Sequence, residues 1–424
     1  MRLYKFHIII LITIFCVLPL MINAQALNIL YKMDFNGTNT LNLSNTGVNQ
    51  WVKGTAAGDA SYPDDGNALY ISNNGSAYSY STASAVVANY AYTNAISSGA
   101  GLTDIALAFC HKVKGESGYD YLNVYVQETI YAVPTAGSTT VSNGTLLGTF
   151  YSNTLSDWMY SLIHLPAATW AGKTFRIIFQ WRNDNTTGTQ PPAAIDCIRI
   201  YTTTTTANVW LGGEFNWEDV SKPENWSLGH VPNSSTEDLI IPKINITGYG
   251  VNCACTNSSS MTCRDLTVED GAWLSTYDNV GNRVLKVYGD LNIYGWLDAF
   301  RFISPDFYLS RYMSLILVGG TSGSYKSINL GSNADVDLAH FQVGDLSTPG
   351  YYKINQHTYV FGVSAFYGSL DMNNYDLGAW QLSNESSASL LQRSGFLLIG
   401  GDNTWCYLKS GFDAGTGITC FWPY

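Results

Sequence analysis

Asp196 is the most awkward residue in this chain: a carboxylate between Ile195 and Ile198, inside an apolar run that ends at Tyr201. An unpaired charge in such a run costs too much to be left alone, so something must satisfy it. Three other groups could do chemistry. Asp335-Val336-Asp337 with Asp345 could be the grouped acids of a polysaccharide hydrolase or lyase, because alternate residues of a strand face one side. Asp and Asn are equally the turn residues of stacked-strand folds. Cys253-Ala254-Cys255 with Cys263 offers three sulfur ligands, whereas structural zinc takes four and usually CxxC spacing. With no nearby histidine, a local disulfide or buried thiols is the stronger reading. His111, His164, His230, His340 and His357 are scattered and read as structural or surface residues. HExxH, GxSxG, P-loop and dinucleotide fingerprints are missing, so no catalytic residue and no enzyme is expected.

The elements that must position these residues are strands. Charged residues make up 12% of the chain, about half the usual share, and Tyr, Thr, Ser, Asn and Gly take their place. These residues favour strands and turns, and no long stripe of helical period is visible. A net charge of −11 without Lys or Arg clusters argues against nucleic acid as a partner. Residues 1–24 read as a signal peptide: Arg2 and Lys5, an apolar stretch from Ile8 to Leu20, then Ile22-Asn23-Ala24, leaving Gln25 first in a secreted, extracellular protein. No later segment is long and apolar enough to be a transmembrane helix. Seven of the eight cysteines follow the leader, an odd number that leaves one thiol over from any disulfides. Cys110 and Cys197 lie in apolar strands and could pair if those strands are neighbours, or stay as core thiols.

Strands recur through the first half as LNILYKMDF, NALYIS, DIALAFCHKV, YDYLNVYVQ, Leu146 to Tyr151 and Trp158 to Leu165. Phe175 to Trp181 and Ile195 to Tyr201, separated by turn residues and Pro191-Pro192, read as a hairpin. Eight or nine strands without helical connectors imply a sandwich or jelly roll.

The series MDFNG, NALYISNNG, ALAFCHKVKGESGYDYLNVYV, GKTFRIIFQWRND and PPAAIDCIRI resembles the MAM and cleaved-adhesin jelly rolls of secreted bacterial surface proteins, over nearly all of residues 27–201. The family's closing motif reads Ile-Asp-Asn-Ile, so Cys197 replaces an Asn. The resemblance implies a structural calcium (Ca2+) held by acids of the first strand, of a loop before the third strand and of the last strand. Asp34, Asp65 and Asp196 are the matching positions, and oxygens remote in sequence suit calcium. The alternative is that Asp196 only accepts backbone or hydroxyl hydrogen bonds.

Thr202 to Thr206, a run of five threonines, reads as a linker over 202–207 that closes a jelly-roll domain over 25–201. The Trp-rich stretch after it resembles the entry segment of β-solenoid regions in large secreted adhesins. Trp210, Trp217 and Trp226 there are a hydrophobic cap or a sugar-stacking platform, with the cap preferred. From Leu239 onward irregular strands recur, ended by Gly, Asp or Asn, and each exposes an apolar face until its neighbour covers it. The expected architecture is therefore all-β: an N-terminal β-sandwich jelly roll, then an irregular right-handed parallel β-helix-like domain over 208–424, with a second sandwich as the alternative. The chain stops at Tyr424 without an evident polar cap, so it reads either as a fragment of a protein attached to the cell surface by a further region, or as an end capped by Trp422 and Tyr424. The expected function is adhesin-type binding of an extracellular glycan or protein. The alternatives are a structural stalk or matrix component and a polysaccharide-degrading β-helix enzyme.

Overall fold

The computed structural model describes residues 26–58, 66–83, 87–151, 158–212, 223–243, 253–254, 261–275, 283–298, 313–336, 340–385, 387–400 and 405–422. The first half contains β1 (Leu27–Met33), β2 (Asn42–Ser44), β3 (Gln50–Gly54), β4 (Ala68–Ser72), β5 (Val87–Tyr92), β6 (Ile96–Ser97), β7 (Asp104–Lys112), β8 (Tyr121–Glu128), β9 (Gly144–Phe150), β10 (Met159–Leu165), β11 (Thr174–Asn183) and β12 (Ala194–Thr203). They form two antiparallel sheets, ordered β10-β7-β12-β4-β3 with β1 also on β12, and β2-β5-β11-β8-β9 with β6 on β11. Ile105, Leu107, Phe109, Ile195, Ile198 and Ile200 of the first sheet share one core with Leu122, Val124, Val126, Phe175, Ile177, Phe179 and Trp181 of the second. Alternation along each strand dictates that division.

β11 and β12 are not the hairpin that their sequence suggests. They lie in opposite sheets, and the chain from 184 to 193 crosses between the layers. Both strands are apolar because they face each other across the core, not because they pair.

β12 changes partners along its length. Ala194 and Ile195 pair with β4, residues 198–203 pair with β1, and β7 runs beside both parts. At the join the register slips between Asp196 and Arg199, and Cys197 takes a left-handed φ of 52°. This bulge shifts the alternation by one residue, so that Ile195 and then Ile198 and Ile200 all face the same core. The strand also outruns the sandwich predicted to close at Tyr201. Thr202 and Thr203 are buried and paired with β7, so the threonine run is a connection only after them.

The second half is a parallel solenoid with two long sheets and one short one. Leu239, Leu266, Leu291, Ile328 and Ile354 stack in register along one inner face, and Leu285, Leu315, Phe341, Val363 and Leu382 along another. Cys263 belongs to an inner column too, and burial, followed by the charge of nearby acids, pushes its thiol above the usual range. Tyr352 closes a gap in this core with its hydroxyl 2.8 Å from the carbonyl oxygens of both Val287 and Gly289. On the outside of the same wall Asn292, Asn329, Asn355 and Asn373 hydrogen-bond in series.

The two halves share one apolar cluster. Leu27, Ala106, Ala108, Leu162 and Tyr201 on the outer face of the first sheet pack with Val209, Trp210, Leu211, Trp226 and Leu239 at the start of the solenoid. Ala106 and Ala108 are small enough to admit the indoles. Trp210 and Trp226 are fully buried, in edge contact at 4.9 Å and 65°. Gly212 is required beside them, since a Cβ there would lie 2.0 Å from the Trp210 ring. The cap is therefore the observed role of Trp210 and Trp226, and Trp217 lies outside the described residues. Replacing Trp210 by Ala should cost about 3–5 kcal/mol. Because the cluster is shared, calorimetry of Trp210→Ala should show a single transition moved down. Two separated transitions, with the sandwich unmoved, would refute the shared core.

Candidate functional site

The outer face of the second sheet is the part of the sandwich whose side chains are polar by strand alternation yet ordered into a network. β8 presents Tyr121, Asn123, Tyr125 and Gln127, and β11 presents Arg182, Gln180, Ile178 and Arg176 directly opposite them. Asn123 Nδ2 donates to Gln180 Oε1 at 2.9 Å and to Tyr125 Oη at 3.1 Å, and Thr149 Oγ1 of β9 donates to Asn123 Oδ1 at 2.7 Å. Gln180 Nε2 donates to Tyr90 Oη at 2.8 Å. Arg182 Nη1 donates to Tyr121 Oη at 2.7 Å, with the guanidinium 5.6 Å from the Tyr121 ring centre. Burial raises the Tyr90 and Tyr125 phenols above their ordinary range, so both stay protonated and neutral.

Residues 129–143, between β8 and β9, roof half of this face. Gln127 Nε2 donates to the carbonyls of Ala132 (3.1 Å) and Ser142 (2.8 Å), Gln180 Nε2 to that of Thr139 (3.1 Å), and Tyr90 to that of Ser138. Val141 packs on Ala88, Tyr90 and Ile178. Tyr121, Tyr125, Arg182 and Thr149 stay at least partly accessible, beside the exposed Leu146. The strip supplies hydroxyl and guanidinium groups with two phenol rings, which suits a hydroxyl-rich ligand. The outward half of YLNVYVQ and of FRIIFQWRN was the signal for it in the sequence, and the roof had none.

The acids picked out from the resemblance are placed as follows. Asp34 is ion-paired with the fully buried Arg199 and lies 3.2 Å from Lys32 Nζ. Asp196 is fully buried, and its Oδ1 accepts the Cys197 amide at 2.7 Å, a donor that the bulge removes from the ladder. Asp65 lies outside the described residues. The cation that meets Asp34 on β12 is thus Arg199, a residue the sequence reading passed over. No disulfide joins Cys110 and Cys197 although β7 and β12 are neighbours, and Cys263, Cys406 and Cys420 are thiols as well. Cys255 is outside the described residues.

Of the acids proposed for catalysis, Asp345 has its carboxylate engaged in structure. Asp345 accepts from the Ser347 and Thr348 amides and from Lys286 Nζ at 2.8 Å. Burial opposes its ionisation, but these donors prevail and hold it well below the usual carboxylate range. Asp335 bridges to the Gly295–Leu297 backbone, and Asp337 is outside the described residues. A carboxylate group that sequence reading missed is Glu116, Asp120 and Asp184, whose ligand atoms lie within 4.8 Å of one another. Asp120 there accepts from Tyr80 Oη at 2.6 Å and from the Asp184 amide at 2.9 Å, tying two turns together.

Neither a family model nor a curated protein matches the sequence. Among solved structures, similar chains include the K1 cleaved adhesin domain of Lys-gingipain from Porphyromonas gingivalis W83. It is 16% identical with a TM-score of 0.27, and the alignment covers 40% of this chain and 96% of that domain. The K3 domain of the same protein is 14% identical at 0.26, over 41% and 98%. The CBM22-1 xylan-binding domain from Paenibacillus barcinonensis Xyn10C is 11% identical at 0.25, over 43% and 99%. Likenesses of this size carry no argument, and the fold rests on the strand order above. No helix among the described residues is long and apolar enough to cross a membrane.

One titrating contact ties the sandwich to the solenoid entry. His164 Nδ1 is 2.9 Å from Asp104 Oδ1, and its Nε2 is 3.0 Å from the Glu224 carbonyl. Burial disfavours the charged ring, but Asp104 and the Glu224 carbonyl outweigh it and raise the pKa above 6.5. A raised pKa means that the stabilisation is complete below the unfolded value and is lost as pH rises through the folded one. The urea midpoint should therefore fall between about pH 6 and pH 8, and His164→Gln should flatten that slope. An unchanged slope in the variant would remove His164 from the docking contact.

Proposed function

We propose that this chain is an extracellular, adhesin-type binding protein that takes a glycan on the outer face of its second sheet, with the solenoid as a rigid extension. What supports the reading is the open strip of Tyr121, Tyr125, Thr149 and Arg182, in which hydroxyl and guanidinium groups lie beside rings that are held in place, Tyr125 and Thr149 by the buried Asn123. Tyrosine offers such contact at small entropic cost, and a sugar's hydroxyls match the hydroxyl and guanidinium groups. The reading is one of binding, through groups that hold a ligand by hydrogen bonds and ring contact. On a glycan array the intact chain should retain a defined set of sugars, and Tyr121→Ala or Arg182→Ala should lower that retention at least about tenfold, as loss of an aromatic or Arg anchor does. Retention of nothing, either on the array or in a pull-down of extracellular proteins, would favour a stalk without a ligand.

Calcium is a separate proposal for the seam between β1 and β12, with Asp34, Asp65 and Asp196 as ligands. Its role there would be to cross-link strands remote in sequence through oxygen ligands. Chelation should then lower the melting temperature by several degrees. No change would leave Arg199 as the counter-ion of Asp34 and end the proposal.

A further inference from the structure

The outside of the solenoid carries a second group of exposed rings, Tyr359 and Trp380, on adjacent strands. The strands Thr358–Ala365 and Leu377–Asn384 are adjacent and parallel, with Tyr359 opposite Gly378 and Gly362 opposite Gln381. Thr358, Val360, Leu377 and Ala379 are buried, while Tyr359 and Trp380 are 53% and 51% exposed. The Tyr359 ring lies across Gly378, where a Cβ would come within 2.5 Å of its Cδ1. Trp380 rests against Phe361 at 5.9 Å and 46°, and Phe361 is itself buried. The phenol and the indole are thus fixed on consecutive turns, about 4.8 Å apart along the solenoid.

Polar groups that carry no charge adjoin them. Gln381 follows Trp380, and Ser383 Oγ donates to Ser364 Oγ at 3.2 Å. His340 Nε2 lies 2.9 Å from Ser364 Oγ, and burial lowers this imidazole to about 4, so it is neutral at neutral pH. At the strand ends His357 Nδ1 lies 2.8 Å from Asp376 Oδ2, and Lys409 pairs with Glu385.

We propose that Tyr359 and Trp380, the latter backed by the buried Phe361, form with Gln381 and Ser383 a binding platform for a neutral polysaccharide, separate from the strip on the jelly roll. A pyranose turns an apolar C–H face to the electron-rich face of an aromatic ring and its hydroxyls to the sides. Rings flanked by amide and hydroxyl groups match both. Charge selects the occupant: Tyr359, Trp380, Gln381 and Ser383 carry none, which suits a neutral chain, and an anionic polymer meets a protein of net charge −11. Size points the same way. A stable protein partner needs roughly 800 Å² on each side with an apolar centre, and two exposed rings bordered by polar groups do not supply it.

Affinity electrophoresis of the full chain in gels containing soluble β-glucan or galactomannan tests the platform, with polygalacturonate as the anionic control. The wild type should be retarded by a neutral polymer and not by polygalacturonate. Trp380→Ala and Tyr359→Ala should each weaken retardation about tenfold or more, while Trp380→Phe keeps most of it. Leu346→Ala, at an exposed turn that belongs to neither surface, should leave it unchanged. Unchanged melting of each variant confirms that the fold is intact. No retardation by either neutral polymer, or retardation lost in Tyr121→Ala and kept in Trp380→Ala, overturns the platform. The second of those results leaves the jelly-roll reading standing.

Discussion

Burial of β12 on both faces is the constraint on which the rest of the structure depends. One face, through Ile195, Ile198 and Ile200, closes the sandwich core, and the other, through Tyr201, lies in the cluster with Trp210 and Trp226. A regular strand could not place Ile195 with Ile198 and Ile200, because alternation would turn the later pair to the opposite side. The bulge at Cys197 restores them. Its cost is a left-handed cysteine, about 1–2 kcal/mol, which the buried Asp196 offsets by accepting the amide freed there. Asn would tolerate the left-handed region at position 197 better than Cys does. The carboxylate that looked out of place in an apolar run is what makes the run's irregularity affordable.

The all-β class, the sandwich and the solenoid were legible because they follow from alternation and from Gly, Asp and Asn punctuation, which act within a few residues. Pairing was not. FRIIFQW and IDCIRIY have the same local composition whether they pair or face each other, and only the third dimension separates those cases. The threonine run misleads for a related reason: Thr is β-branched and extends a strand readily when neighbours cover it, as β1 and β7 cover Thr202 and Thr203. Arg199 escaped notice because an arginine in an apolar strand looks like an outward residue until Asp34 is seen opposite it. The strip on β8 and β11 was half legible. Its outward residues alternate in plain view, while the roof of residues 129–143 binds through backbone carbonyls, which leave no mark in a sequence.

Where side chains on the outside are held in position, glycine or a small residue beneath them is the common device. Tyr359 lies over Gly378, His340 over Gly362 and Tyr294 over Gly331, each where a Cβ would collide with the ring, and Ala106 and Ala108 make room for the buried indoles. In a stack of parallel strands this device has a particular consequence. The neighbouring turn supplies the missing side chain at a fixed rise, so a ring's position is set by the ladder and not by its own rotamer alone.

A shared core makes that fixity global. The apolar cluster runs from the outer face of the first sheet into the solenoid, and Glu269 of the solenoid accepts the Ala26 amide at the start of β1 at 2.7 Å. Sandwich and solenoid therefore cannot swing about residues 204–207 without exposing Trp210 and Trp226. Two surfaces on such a body keep one separation, unlike two modules on a flexible linker, whose effective concentration is set by linker length. A ligand would gain from both only if it were long enough to span them, and a short oligosaccharide would engage each independently. For the two surfaces proposed above, polymer length more than sugar identity would then decide whether both are engaged at once.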